Sequence, residues 1–371
     1  MIEVNIKDLK AGALLAEDVK SSLGGAILYK DTRIEEYHKE LLNAFTISSV
    51  KIVEEKKTET KLTKTKLSEN KKQKSNTSDN NEPTLKKPAF KYEEFEKQYN
   101  KAVGLLKNVM LEVEYTRKVP LLEIRSAIKP MLENICDQPN ITLVLDQIKS
   151  KEAYTYQHLV GVGVLSTLIA RFMNYKENEL MQIGLAGTLH DIGKAKISDS
   201  ILRKKGPLNH IEYEEIKKHP IYSYEILENV TGINQGVVLA ALEHHERDDG
   251  FGYPYKRKGF EMHPYSKIVA VADIFHAMTS NREYKNAENI YHVLKQINQD
   301  AFGKLDPKVV TSLINGLLNY CIGKSVELNN GTKGEIIFIN STVPLKPLIK
   351  VGNEFIDLNK RTDIAIEKLT I

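Results

Sequence analysis

The sequence predicts a mainly α-helical protein with a small β-containing unit at each end. Three observations carry that reading. From about Phe90 to about Tyr320 apolar residues recur at helical spacing, cut by Gly and Pro into eight or nine helices with no convincing strand. On both sides of that stretch the apolar residues fall in short runs broken by turn residues. A polar, lysine-rich tract separates the first unit from the helices.

Residues 1–53 read as a small α+β unit. VNIKDLKAGALLAEDV has short alternating runs, Gly24-Gly25 marks a turn, and AILY and SVKIV are strand-like. Between them RIEEYHKELLNAF has helical spacing through Ile34, Tyr37, Leu41, Leu42 and Phe45. Residues 54–88 are dominated by Lys, Thr, Asn, Ser and Glu, bury almost nothing, and read as a disordered linker. Residues 89–322 form the all-α domain. Residues 323–371 return to short β runs, SVELNNGTKGEIIFI, PLIKV and EFIDL, whose NNG and TKG turns favour hairpins.

Composition narrows the function. At about 150 residues per domain, 371 residues suggest two to three domains. A net charge of +4 is too small, and too much of the lysine lies in the linker, to indicate a nucleic-acid binder. Two cysteines, Cys136 and Cys321, exclude a disulfide scaffold and a cysteine-based zinc site. The start MIEVNIKDLK is not a secretory segment, and no apolar run approaches the 18 residues or so of a spanning helix. A soluble cytoplasmic protein, without a membrane partner, is expected.

The histidines are not scattered. Five of the ten, His158, His190, His219, His244 and His245, lie in apolar helical contexts with two aspartates, Asp191 and Asp273. His158 shares a helical face with Val162, Leu165 and Ile169. His190 follows Gly184, Ala186 and Gly187, small residues that let a neighbouring helix approach. Asp273 is the acid inside the apolar run KIVAVADIFHAM. One buried histidine is usually a hydrogen-bonded core residue, and a bare buried carboxylate is costly unless paired or bound to metal. Seven such side chains together favour ligation. Imidazole with carboxylate and no thiolate suits Mn, Fe, Ni or Zn. Seven are too many for one metal that also holds a substrate and suit two, with one carboxylate bridging. A pair of metals is a known solution for phosphoester hydrolysis.

HDIGK at His190 to Lys194, the His219-Pro220 pair, HHERDDGFGYP from His244 to Pro254, and the later DIFHAMTSNR resemble the HD-GYP subgroup of the HD metal-dependent phosphohydrolases over about 140–320. The resemblance implies an HD-type helical fold and a cyclic di-GMP phosphodiesterase that opens the ring to pGpG, in some members on to GMP. It implies one metal on His158, His190, Asp191 and Asp273, and a second on His219, His244 and His245 with Asp191 bridging. Iron or manganese is expected, with nickel or zinc also compatible. In-line attack by a metal-bridging hydroxide would be assisted by Lys194 facing the scissile phosphate. Arg282 and Lys285 match positions that grip phosphate and guanine, although a solvated face is the plainer reading of that pair. Asp249, Gly250, Gly252, Tyr253 and Pro254 form the GYP loop, which shapes the ligand site and in the family contacts GGDEF-type diguanylate cyclases. Two glycines there permit unusual backbone angles and Pro254 fixes the exit. Some members carry a glutamate one turn before the first metal histidine that supports a third metal. Here that position is Tyr154, so two metals are expected.

His38, His210, His263, His276 and His292 are read as surface residues or supports around the site. Three other functions compete: the same chemistry on another cyclic dinucleotide, a cyclic di-GMP receptor or interaction module with little turnover, and a structural helical domain whose histidines merely pack. The last leaves the two buried aspartates unexplained. The input signal, the role of the end units, the oligomeric state and the donor of the leaving-group proton are not legible in the sequence.

Overall fold

The computed structural model describes residues 1–20, 26–28, 30–35, 38–39, 42, 47–53, 92–137, 141–148, 154–280 and 290–369. The expected linker over 54–88, Gly24-Gly25 and most of the expected helix through Phe45 lie outside these residues. The chain divides into two compact units, Met1–Lys86 and Lys87–Ile371. In the first, β1 (Ile2–Asn5) pairs antiparallel with β4 (Ser49–Ile52), and β2 (Val19–Lys20) with β3 (Ala26–Leu28). Leu15, Ile34, Leu42 and Val50 are buried there.

The second unit holds twelve helices among its described residues: α1 (Tyr92–Thr116), α2 (Leu121–Asp137), α3 (Ile141–Ile148), α4 (Tyr154–Phe172), α5 (Glu177–Leu189), α6 (Asp199–Leu202), α7 (His210–Ile216), α8 (His219–Leu227), α9 (Gln235–Glu243), α10 (Pro264–Thr279), α11 (Ile290–Lys304) and α12 (Pro307–Asn319). That exceeds the expected eight or nine. The surplus comes from short pieces such as α6 and α7, which bury no residue and so carry no apolar stripe to read.

Helix α4 is the axis of the unit. It packs against α1, α2, α5, α10 and α12 and is buried on all sides from Leu159 to Ala170. A helix that is apolar around its circumference belongs in a core. Its approach to α5 depends on small residues. A Cβ on Gly187 would lie 2.7 Å from the Val162 carbonyl oxygen, and one on Gly184 would lie 2.5 Å from Thr167 Oγ1. The Thr167 and Thr188 hydroxyls donate to the carbonyls four residues earlier, Gly163 and Gly184, so neither is left unpaired in the core. No helix among the described residues is long and apolar enough to cross a membrane.

At the end of α12, Gly323 takes a left-handed φ of 79° and turns the chain into a five-stranded antiparallel sheet. Its strands are β5 (Ser325–Leu328), β6 (Lys333–Phe338), β7 (Leu348–Val351), β8 (Glu354–Asp357) and β9 (Ile366–Leu369), in the order β8-β7-β6-β5-β9. The three expected runs became β5 to β8, with Gly331 at φ 78° in the β5–β6 turn. Strand β9, which pairs with β5 and packs on α11, was not expected: of IEKL only Ile366 and Leu369 are buried, too sparse a pattern to read. Val326, Leu328, Ile336, Ile349, Ile366 and Leu369 join the same apolar core as the helices.

Candidate metal centre

Two of the expected ligands, His158 and Asp273, project from the interiors of α4 and α10. The others stand at helix ends. His190 is the C-cap of α5, and at Asp191 the backbone leaves the helix with φ −101° and ψ 12° before a 3-10 turn over Ile192–Lys196. His244 is the C-cap of α9, with His245 beyond it, and His219 opens α8 just after α7 ends. The expectation of helical context for these residues is thus corrected to the boundaries of the helices. The break after α5 is set by contact with α8. Gly193 N–H donates to Ser223 Oγ at 2.8 Å, and that hydroxyl donates to the His190 carbonyl at 3.0 Å. A Cβ on Gly193 would stand 2.1 Å from the His219 carbonyl oxygen, so only glycine allows this approach.

Helix ends supply what these histidines need. The last carbonyls of a helix have no onward partner. His190 Nδ1 lies 2.7 Å from Gly187 O, His219 Nδ1 2.7 Å from Ile216 O, and His244 Nδ1 3.0 Å from Ala241 O. A carbonyl oxygen only accepts, so each Nδ1 carries the proton and donates it, leaving Nε2 with a lone pair facing inward. This outer support fixes ring orientation and tautomer in the way a ligand histidine requires. The ends of α5, α7 and α9 also bring their negative dipole poles toward the centre, which favours a cation.

The inward atoms converge. Asp191 Oδ1 lies 3.1 Å from His219 Nε2 and 3.7 Å from His244 Nε2. Asp191 Oδ2 lies 3.2 Å from His190 Nε2 and 3.9 Å from His158 Nε2, and His158 Nε2 is 3.1 Å from Asp273 Oδ1. Two sets form, Asp191 with His219, His244 and His245, and His158 with His190 and Asp273, each with its candidate ligand atoms within 4.8 Å of one another. Asp191 presents one oxygen to each set.

This donor set fits divalent metal ions. His219 Nε2 and His244 Nε2 are 3.3 Å apart, and with both protons on Nδ1 two lone pairs face each other. The buried His190 Nε2 and Asp191 Oδ1 have no hydrogen-bond partner among the described residues. A cation between these atoms resolves both conflicts; without one they carry an uncompensated burial penalty. Burial lowers the His190 pKa but the Asp191 carboxylate beside it raises it on balance, whereas the other shifts favour the ligating forms. Burial would raise the Asp191 carboxyl, but Lys194, whose Nζ is 2.5 Å from Oδ2, holds it well below the carboxylate range. Burial likewise opposes ionisation of Asp273, and the His158 contact holds it low. Burial and His245 push His244 well down, and burial and His219 push His245 down to about 3. Both therefore stay neutral, the form that ligates.

Of the GYP loop, Tyr253 is the residue brought to the centre: its ring centroid is 4.7 Å from that of His245 and 6.5 Å from that of His219. Asp249 instead pairs with Arg247 and accepts from the Phe251 N–H at 2.9 Å. Gly250 takes a positive φ of 80°, whereas Gly252 is needed for space, since its Cβ would lie 2.4 Å from the Glu246 Cα. Pro254 follows Tyr253 through a cis peptide bond. Arg282 and Lys285 lie outside the described residues. Of the remaining histidines, His276 is not on the surface: it is fully buried against His158. Burial keeps its pKa well below the ordinary histidine value, so it is neutral.

Two acids that flank the tandem histidines were missed. Glu243 is buried and accepts from Arg257 Nη1, the His263 N–H at 2.9 Å and Ser266 Oγ at 2.6 Å. Glu246 accepts from the N–H groups of Tyr255 at 2.6 Å and Arg257 at 3.0 Å, and burial raises its pKa. They tie the GYP loop and the start of α10 to the His244-His245 segment. The signal was present as E-H-H-E, acids beside an apolar helix end, but their partners are 9 to 23 residues away. Glu243→Ala is expected to strand several donors and lower stability by about 1–3 kcal/mol, read as a fall in Tm. An unchanged Tm would show that the loop is held by other contacts.

What the fold and the side chains define is a helical unit with a buried histidine–aspartate centre that could hold two cations. Residues 142–309 match the HD domain family model. The HD-GYP strings fall inside that stretch or at its centre. Curated relatives include a cyclic di-GMP phosphodiesterase of Pseudomonas aeruginosa, 32% identical over 59% of this chain and 52% of its own length. A cyclic di-GMP phosphodiesterase of Thermotoga maritima is 36% identical over 59% of this chain and 58% of its own. A 3′3′-cGAMP-specific phosphodiesterase of Vibrio cholerae is 33% identical over 48% of this chain and 41% of its own. The chain thus spans about half the length of the curated relatives it matches.

Proposed function

We propose that the chain is a metal-dependent phosphodiesterase that hydrolyses cyclic di-GMP to pGpG. The observation that carries this reading is the sharing of Asp191: one carboxylate whose two oxygens face two histidine sets inside the stretch that matches the HD domain family model. The first site is His158, His190, Asp191 and Asp273; the second is Asp191, His219, His244 and His245. Two divalent ions, iron or manganese by the family resemblance, with nickel and zinc compatible with the same donors, would supply Lewis acidity that activates water and neutralises phosphoryl charge. Asp191 fixes the spacing of the two sites. Lys194, partly exposed and tethered to Asp191, is placed to add positive charge where a phosphoryl oxygen develops its own. Tyr253 walls the side of the second site. Exposed Phe251, 79% accessible, supports a role for the GYP loop as the contact for a GGDEF-type cyclase.

Relatives that act on 3′3′-cGAMP favour a second reading, the same chemistry on the hybrid dinucleotide. The test is parallel turnover of cyclic di-GMP, 3′3′-cGAMP and cyclic di-AMP together with metal analysis of anaerobically prepared protein. The proposal expects cyclic di-GMP to be cleaved fastest and metal to saturate near two equivalents per chain. Preference for the hybrid would select the second reading. Binding of cyclic di-GMP without turnover would make the chain a receptor, and three equivalents of metal would overturn the two-site account.

A further inference from the structure

We propose that Lys217 is a positioning residue that clasps the Tyr253 ring beside the second histidine set. The proposal rests on the reading of Tyr253 as the wall of that site. Lys217 caps the C-terminus of α7, and Tyr213 stands four residues before it, on the same face of the helix. The Lys217 Nζ lies 5.6 Å from the centroid of the Tyr253 ring and 5.7 Å from that of the Tyr213 ring. One ammonium thus bridges a ring of the helix and a ring of the GYP loop.

The lysine is fixed at its own end. Its Nζ donates to Glu214 Oε1 at 3.0 Å and Oε2 at 3.3 Å, and its N–H donates to the Tyr213 carbonyl at 3.1 Å. A surface ion pair within one helix contributes little and holds nothing outside α7. The reach to Tyr253 is what crosses to the loop. Tyr253 needs such a contact, because its N–H bond to the His245 carbonyl at 3.1 Å places the backbone and leaves the side-chain rotamer open. The ring lies 31° from the plane of His245 with centroids 4.7 Å apart, and a cation attracted to the ring holds that rotamer.

The clasp also accounts for how α7 is tied to the site. The helix buries no residue and so has no apolar stripe to dock. Its attachments are polar: Tyr222 of α8 donates to Glu215 at 2.9 Å, and Lys204 pairs with Glu212 at 2.6 Å. Lys217 adds an attachment toward the GYP loop.

Lys217→Met keeps most of the side-chain length and removes the cation, and Lys217→Arg keeps both. With cyclic di-GMP, KM of Lys217→Met should rise about three- to ten-fold while kcat and bound Mn(II) stay near wild type, and Lys217→Arg should restore KM. In a Tyr253→Leu background, Lys217→Met should raise KM no further. Fluorine NMR of protein carrying fluorotyrosine reads the ring without substrate, the Tyr253 signal being assigned by its loss in Tyr253→Phe. That signal should shift in Lys217→Met and return in Lys217→Arg. An unchanged KM or an unchanged signal in folded Lys217→Met, or effects that add in the double variant, would overturn the proposal. A shifted signal in a protein that turns over no cyclic dinucleotide would support the clasp and overturn the proposed function instead.

Discussion

Asp191→Ala is expected to abolish phosphodiesterase turnover and strip both metals together. Every other candidate ligand serves one set; Asp191 faces both, with Oδ1 3.1 Å from His219 Nε2 and Oδ2 3.2 Å from His190 Nε2. Its removal would delete the carboxylate that would offset the charge of both ions in a buried site. Loss of several kcal/mol of transition-state stabilisation corresponds to at least about a thousand-fold in rate. Metal analysis and a cyclic di-GMP assay on the same preparation, with circular dichroism as the folding control, make the check. Full metal content in the variant would contradict the shared role.

Lys194→Ala is expected to separate metal from rate. The lysine is three residues beyond Asp191 on the 3-10 turn and reaches Oδ2 without entering either histidine set. Removing it leaves both sets intact, so metal should remain near two equivalents. What would be lost is the positive charge proposed to stand beside the phosphoryl group, for which a drop of roughly a hundred- to a thousand-fold in kcat is typical. Unchanged turnover would remove Lys194 from the mechanism; loss of metal would make it a support for Asp191 instead.

The pattern of ligand types was legible because buried His and Asp are rare enough in apolar stretches to stand out. Gly184 and Gly187 before His190 were also legible as small residues that admit a neighbouring helix, here α4. What the sequence hid were tertiary consequences. Nothing in LMQIGLAGTLHDIGK says that the helix stops at Leu189, because the stop is made by Ser223 on α8, more than thirty residues later. The placement of His190, His219 and His244 at helix ends, where spare carbonyls hold Nδ1, follows from such contacts. His276 could be read only as a surface residue or a support around the site because its partner, His158, is 118 residues away. Glu243 and Glu246 drew no reading because their donors come from a loop whose path only the fold determines.

Two histidine sets joined by Asp191 are proposed to hydrolyse a cyclic dinucleotide. The most direct test is product chromatography of cyclic di-GMP incubated with anaerobically purified protein, metal-free and reconstituted with Fe(II) or Mn(II). The expected result is pGpG that appears only with metal and rises to a plateau as the second equivalent is added. Equal product from the metal-free protein, or no product from fully loaded protein with any cyclic dinucleotide, would contradict it.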